Sequence, residues 1–146
     1  MKKKILPFLK LIIVDIVIDI AVLLTIILYS IVRWEYDTEH ILGLLVAFLG
    51  LLFWIIARKQ LGKSFSVKPE AKELVTYGLY SKIRNPIYFF SFIAFTGAIM
   101  SADRPILFFV LGVVLLVQIL RIGKENKILY EKFGEEYLIY KKETWF

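Results

Sequence analysis

Cysteine is absent from the 146 residues, and histidine occurs once, at His40. The first absence excludes disulfides, thiolate metal sites and cysteine nucleophiles together. A single histidine excludes a histidine-pair metal site within one chain, and a Ser-His dyad, which would rest on His40 alone, is not expected. His40 itself reads as an interfacial residue at a helix start. No low-complexity linker and no internal repeat interrupts the sequence, so it reads as one compact unit. What remains is strongly apolar. Hydrophobic residues make up 59% of the chain, against roughly half in a soluble domain, and the mean hydropathy is +0.71. That composition belongs in a membrane.

Four apolar stretches meet, or nearly meet, the requirement of about 20 residues per bilayer crossing. They cover about 5–32, 41–57, 86–100 and 105–120. The third is short and needs a neighbour or local bilayer thinning. The lysine-rich start "MKKKILPFLK" resembles a secretory signal, but its apolar run is too long, carries two aspartates and lacks a small-residue cleavage site. It reads as a retained first helix.

The net charge of +6 raises nucleic acid as a partner, but the placement of the cations argues otherwise. Of the 19 Lys and Arg residues, 17 lie in the N-terminal stretch up to and including Lys10, from Arg58 to Arg84, or from Arg121 onward; only Arg33 and Arg104 fall in the other two turns. Under the positive-inside rule this predicts an all-α integral membrane protein with four transmembrane helices and both termini cytoplasmic. Nucleic acid is not expected as a partner. A prokaryotic inner membrane is the expected location, and four short spans leave room for a homodimer.

Individual residues refine the scaffold. Asp15 and Asp19 share one helix face and belong either to a polar pocket or to an assembly contact with Lys or Arg. Gly43 and Gly50 allow close helix approach, while Trp54 and Arg58 read as interfacial anchors. Gln118 reads as an interhelical hydrogen-bonding residue.

The loop 58–85 is the first segment that a spanning scaffold does not need. Turn signals at Gly62, Pro69 and Gly78 separate polar stretches. Asn85 precedes Pro86 and is therefore expected to be non-helical, with Pro86 in the first turn of the next helix. The free amides and positive dipole end there suit an anionic group. Beyond the fourth span, Leu129, Phe133 and Tyr137 recur every four residues, predicting an amphipathic helix over 123–142 that lies on the membrane or folds back on the loop.

Tyr80, Arg84, Asn85 and Tyr88 stand at the start of the third span, and Arg121 and Glu125 stand one turn apart where the fourth emerges. The short "SADRP" turn makes these spans antiparallel neighbours, which brings both groups to one end of a hairpin. A zwitterionic ligand with an aromatic ring fits them: a carboxylate against helix-start amides and a cation, an ammonium against Glu125, and a ring against tyrosine. S-adenosyl-L-methionine has those parts.

The segment "ELVTYGLYSKIRNPIYFF", followed after the hairpin by "RIGKEN" and "FGEEYLIYKK", resembles the C-terminal half of the isoprenylcysteine carboxyl methyltransferase and phospholipid methyltransferase superfamily. The corresponding pattern is L-V-T-x-G-x-Y-x-x-x-R-H-P-x-Y, then R-x-x-x-E-E and F-G-x-E-Y-x-x-Y, and the likeness covers about residues 61–142. It implies an S-adenosylmethionine-dependent enzyme whose cofactor pocket is formed by the cytoplasmic loop and the C-terminal helix. It places Lys72, Glu73, Leu74, Val75, Tyr80, Asn85, Pro86, Ile87, Tyr88 and Glu125 at the cofactor. It places Arg121 at the acceptor and Arg84 at the arginine of R-H-P-x-Y. Asn85 stands where the pattern has histidine, and Asn126 where it has the second acid.

The implied acceptor is lipid-like or prenylated. A carboxylate acceptor is favoured because it is already ionised at neutral pH and needs no general base, in a chain poor in histidine. A phospholipid amine acceptor, a nicotinamide-dependent membrane reductase sharing the R-x-P-x-Y element, and a noncatalytic membrane protein are the other readings. No metal site is expected.

Overall fold

In the computed structural model, the described residues are 5–32, 37–61 and 74–145, with side chains at 17 and from 20 onward. The expectations for Lys72 and Glu73 lie outside them, as do those for the Asp15 and Asp19 side chains. Within them the chain is all helical: α1 (Ile5–Val32), α2 (Thr38–Leu61), a 3₁₀ turn (Gly78–Ser81), α3 (Pro86–Ala102), α4 (Leu107–Phe133) and α5 (Glu135–Glu143). Among the described residues, the one β-type pairing is an isolated parallel bridge between Ile83 and Trp145.

Among the described residues, two helices, α2 and α4, are long and apolar enough to cross a bilayer. Only 28% and 17% of their most apolar windows are buried against the rest of the protein. A soluble core helix would be covered by its own chain, so these surfaces suit lipid. At 17 residues, α3 is shorter.

The α2–α3 pair is the tightest in the molecule. Small residues make it so: Gly43, Ala47 and Gly50 are buried on α2, facing Ala94, Gly97, Ala98 and Ser101 of α3. A Cβ on Gly50 would stand 2.5 Å from the Ala94 nitrogen, and one on Gly43 would stand 2.5 Å from the Ser101 nitrogen. The two glycines therefore permit the close helix approach expected of them. Helix α1 joins α3 through Ser30, whose hydroxyl is 3.0 Å from the Ser101 carbonyl and 2.8 Å from the Ser101 hydroxyl. Gln118 of α4 donates to Ser91 of α3 at 2.8 Å, the interhelical bond expected of it. His40 lies in the first turn of α2, buried, with its backbone N–H donating to the Asp37 carboxylate at 2.6 Å.

The end of the chain departs from expectation. The helix anticipated over 123–142 is two pieces, because α4 runs on without interruption to Phe133 before α5 begins at Glu135. The stretch after Arg121 is rich in Lys, Glu, Leu and Ile, which extend a helix once it has left the apolar core. The break falls at Gly134, with φ +53°, a backbone conformation that glycine adopts without a Cβ clash. Likewise α2 extends to Leu61, so its last turn carries Arg58 and Lys59 beyond the apolar stretch.

Candidate active site at the hairpin base

The site begins with Asn85 and Pro86. Asn85 is the N-cap of α3 with ψ 59°, non-helical as the following proline requires, and its side chain makes no capping bond. Pro86 occupies the first turn and is fully buried. Tyr88 follows within that turn, and its hydroxyl donates to the Glu125 carboxylate on α4. That bond ties the start of α3 to the lower part of α4. Arg121, one turn before Glu125, acts electrostatically on Tyr88.

Tyr80 reaches the same place from the 3₁₀ turn. It is buried, and both Glu125 and Arg58 act on its hydroxyl. Burial is the main reason its phenol stays protonated well above the usual range. Behind it, Ala57, Val75 and Tyr80 form a small apolar cluster, with Leu61, Leu79 and Ile87 packed against it. Val75 and Ile87 thus build the apolar backing of the site, and Leu74 beside Val75 is half-buried.

The turn holding Tyr80 needs Gly78. Its φ is +62°, and a Cβ there would stand 2.5 Å from the Gln60 side chain. Gln60 makes use of that space: its Oε1 accepts from the Leu79 N–H at 2.8 Å, while its carbonyl accepts from the Tyr77 hydroxyl at 2.9 Å. The end of α2 is thereby fastened to the turn.

Helix α5 closes the other side. The Tyr140 hydroxyl donates to the Tyr80 carbonyl at 2.8 Å, and the Tyr137 hydroxyl donates to the Asn126 Oδ1 at 2.8 Å. Arg84 acts on both tyrosines. Its Nε is buried and has no hydrogen-bond partner among the described residues. A buried guanidinium N–H in that state suits a ligand oxygen.

The structure therefore brings together Tyr80, Arg84, Tyr88, Arg121 and Glu125, with Asn85 and Pro86 at the same helix start. Sequence reasoning missed Gln60 and Tyr140, and it read Arg58 only as an anchor. Its guanidinium does lie 5.2 Å from the Trp54 ring centroid, yet the same residue acts on Tyr80. Basic residues one turn past an apolar stretch were the available signal. Nothing local ties Gln60 to a turn 17 residues away or Tyr140 to one 60 residues away.

A helical, membrane-associated protein with an enclosed cluster of tyrosines, arginines and one carboxylate at one end of a helix pair is the class these features define. Its family follows from comparison: the model of the phospholipid methyltransferase family matches residues 38–136, and the chain belongs to that family. It is thus a membrane methyltransferase by family. No curated protein and no solved structure matches the chain.

Proposed function

We propose that the protein is an S-adenosylmethionine-dependent methyltransferase that acts on a lipid-like acceptor at the boundary of membrane and cytoplasm, with a carboxylate oxygen as the methylated atom. The observation that carries this reading is the Tyr88–Glu125 bond with Tyr80, Arg84 and Arg121 around it. Those groups fit the cofactor: a carboxylate for its ammonium, a buried guanidinium N–H for its carboxylate, and aromatic faces for its ring.

When bound, S-adenosylmethionine supplies an electrophilic methyl group whose bond to sulfur breaks toward sulfur as the acceptor atom bonds to carbon. The protein's own part is to position. Glu125, Tyr80, Asn85 to Tyr88 and the Lys72–Val75 stretch would hold the cofactor, with the Arg84 N–H toward its carboxylate, and Arg121 would hold the acceptor's anionic group. Tyr80 is kept protonated by burial and offers no phenolate base at neutral pH. Glu125 already accepts a hydrogen bond from Tyr88. A carboxylate acceptor needs no proton removed, which favours it here. A second reading, methylation of a phospholipid amine, is supported by the description of the family whose model matches. In either case the frame is four spans with both ends in the cytoplasm, so that the acceptor tail enters from lipid and the cofactor from water.

Calorimetry of S-adenosylmethionine and S-adenosylhomocysteine with detergent-purified protein tests the reading. Glu125→Ala is expected to weaken both by about 10- to 100-fold, the loss of one charge-assisted hydrogen bond. Arg121→Ala is expected to retain cofactor binding and lose turnover. Absence of cofactor binding by folded wild-type protein would overturn the proposal.

A further inference from the structure

The segment from Gly78 to Asn85 carries Tyr80, Arg84 and Asn85, yet has little regular structure of its own. It is one 3₁₀ turn followed by irregular chain, ending at a proline that donates no hydrogen bond. Its local bonds are few: Tyr80 N–H to the neighbouring Tyr77 at 3.2 Å, Lys82 N–H to Leu79 at 3.3 Å, Ile83 N–H to Leu79 at 3.0 Å, and the Ser81 hydroxyl to the Gly78 carbonyl at 2.7 Å. Short 3₁₀ turns have poor hydrogen-bond geometry and do not hold a shape alone. A site built on such a segment needs ties from outside to keep its groups in place.

Gln60 supplies one such tie at Leu79; those that reach Tyr80, Lys82 and Arg84 come from α5 and the residues after it. The Tyr140 hydroxyl donates to the Tyr80 carbonyl at 2.8 Å, and both residues are 6% exposed. Beyond α5, the Thr144 hydroxyl donates to the Tyr140 carbonyl at 2.9 Å and directs the chain out of the helix. Trp145 then runs beside the segment: its N–H donates to the Lys82 carbonyl at 2.7 Å, and its carbonyl accepts from the Arg84 N–H at 3.3 Å. One side chain and one stretch of main chain thus grip the segment at Tyr80, Lys82 and Arg84.

We infer that Tyr140 is a positioning residue of the cofactor site, acting through the main chain of Tyr80 to fix that tyrosine beside Glu125. The inference rests on the methyl-donor reading above. A phenylalanine would fill the same space but leave the buried Tyr80 carbonyl without its donor, so the segment would gain freedom while the packing stayed. Burial, its main cause, pushes the Tyr140 phenol up to about 12, which keeps its proton in place across the neutral range. The Trp145 main chain supports the same segment from its other end, but it is Tyr140 that reaches the residue facing Glu125.

The test is Tyr140→Phe, with Tyr130→Phe as control at an exposed position on α4. Two readouts are taken: S-adenosylhomocysteine binding by calorimetry, and backbone hydrogen exchange of the ligand-free protein. Tyr140→Phe is expected to weaken binding about tenfold, the equivalent of one lost hydrogen bond. It is also expected to speed exchange at Ile83 and Arg84 while the α2–α3 amides stay protected; the control changes neither. Wild-type binding together with unchanged exchange would overturn the inference. If the wild-type protein binds no S-adenosylhomocysteine, the methyl-donor reading fails, and the exchange readout alone decides whether Tyr140 holds the segment. If Tyr140→Phe does not fold, Thr144→Val takes its place, with the same shift expected at Lys82 to Arg84; unchanged exchange there counts against the inference.

Discussion

Asn126 stands where the methyltransferase pattern has a second acid, and its partner explains how an amide serves there. The buried Tyr137 hydroxyl donates to its Oδ1, and a carboxylate oxygen would accept that bond as well. What the position requires is an acceptor, and charge is secondary. Asn126→Asp is therefore expected to change stability by less than about 1 kcal/mol, whereas Asn126→Leu leaves a buried hydroxyl without an acceptor and costs about 1–3 kcal/mol. Thermal unfolding of the two variants in one detergent checks this; equal losses would mean that Tyr137 finds another partner. At this scale the sequence was informative where a motif set the spacing. Tyr80, Arg84, Tyr88, Arg121 and Glu125 were legible because blocks at fixed separations named them. Arg58 was not, since an arginine just past an apolar helix has an ordinary explanation as an anchor. Asn85 was legible in its backbone, through Pro86, and its unengaged side chain left the substitution of histidine without a structural account.

At the level of elements, the contact that carries most of the fold is between α2 and α3, and it depends on missing side chains. Between helices in lipid, close van der Waals packing replaces the hydrophobic effect as the source of association. Gly50 lies opposite Ala94 with no room for a Cβ. Gly50→Val should therefore force the helices apart and cost about 1–3 kcal/mol, more than a Val substitution at lipid-facing Gly112, which has open space around it. Denaturation of both variants from one micelle type measures the difference; equal stability would mean that α2 and α3 do not pack in this register. That α2 approaches some helix closely was readable from Gly43 and Gly50, because small residues at helical spacing have few other uses inside a membrane; that the partner is α3 was not, because the glycines do not name what packs on them. The division of the last helix was not, because α4 and α5 continue one pattern of Lys, Glu and apolar residues across Gly134. Only the positive φ there breaks it, and a pattern of side chains carries no record of a backbone angle.

For the molecule as a whole, the distribution of cations sets the orientation proposed above. Arg58, Arg84, Arg121 and the lysines of α5 gather at the end of the α2–α3 and α3–α4 pairs that holds Tyr88 and Glu125, while Asp103 and Arg104 mark the turn at the opposite end. If the positive end faces the cytoplasm, a water-soluble methyl donor reaches the Tyr80–Glu125 cluster directly, and the turn after α3 faces away. The absence of cysteine makes this simple to test, since any introduced thiol is the only one. Asp103→Cys and Lys141→Cys are both exposed positions. In sealed right-side-out vesicles, a membrane-impermeant maleimide is expected to label Asp103→Cys at once and Lys141→Cys only after the vesicles are opened. Labelling of both before opening, or the reverse order, would put the basic end outside and separate the candidate site from a cytoplasmic cofactor. The expected order leaves one arrangement: cofactor from the cytoplasmic side, acceptor tail from the bilayer, and Tyr88 with Glu125 where the two meet.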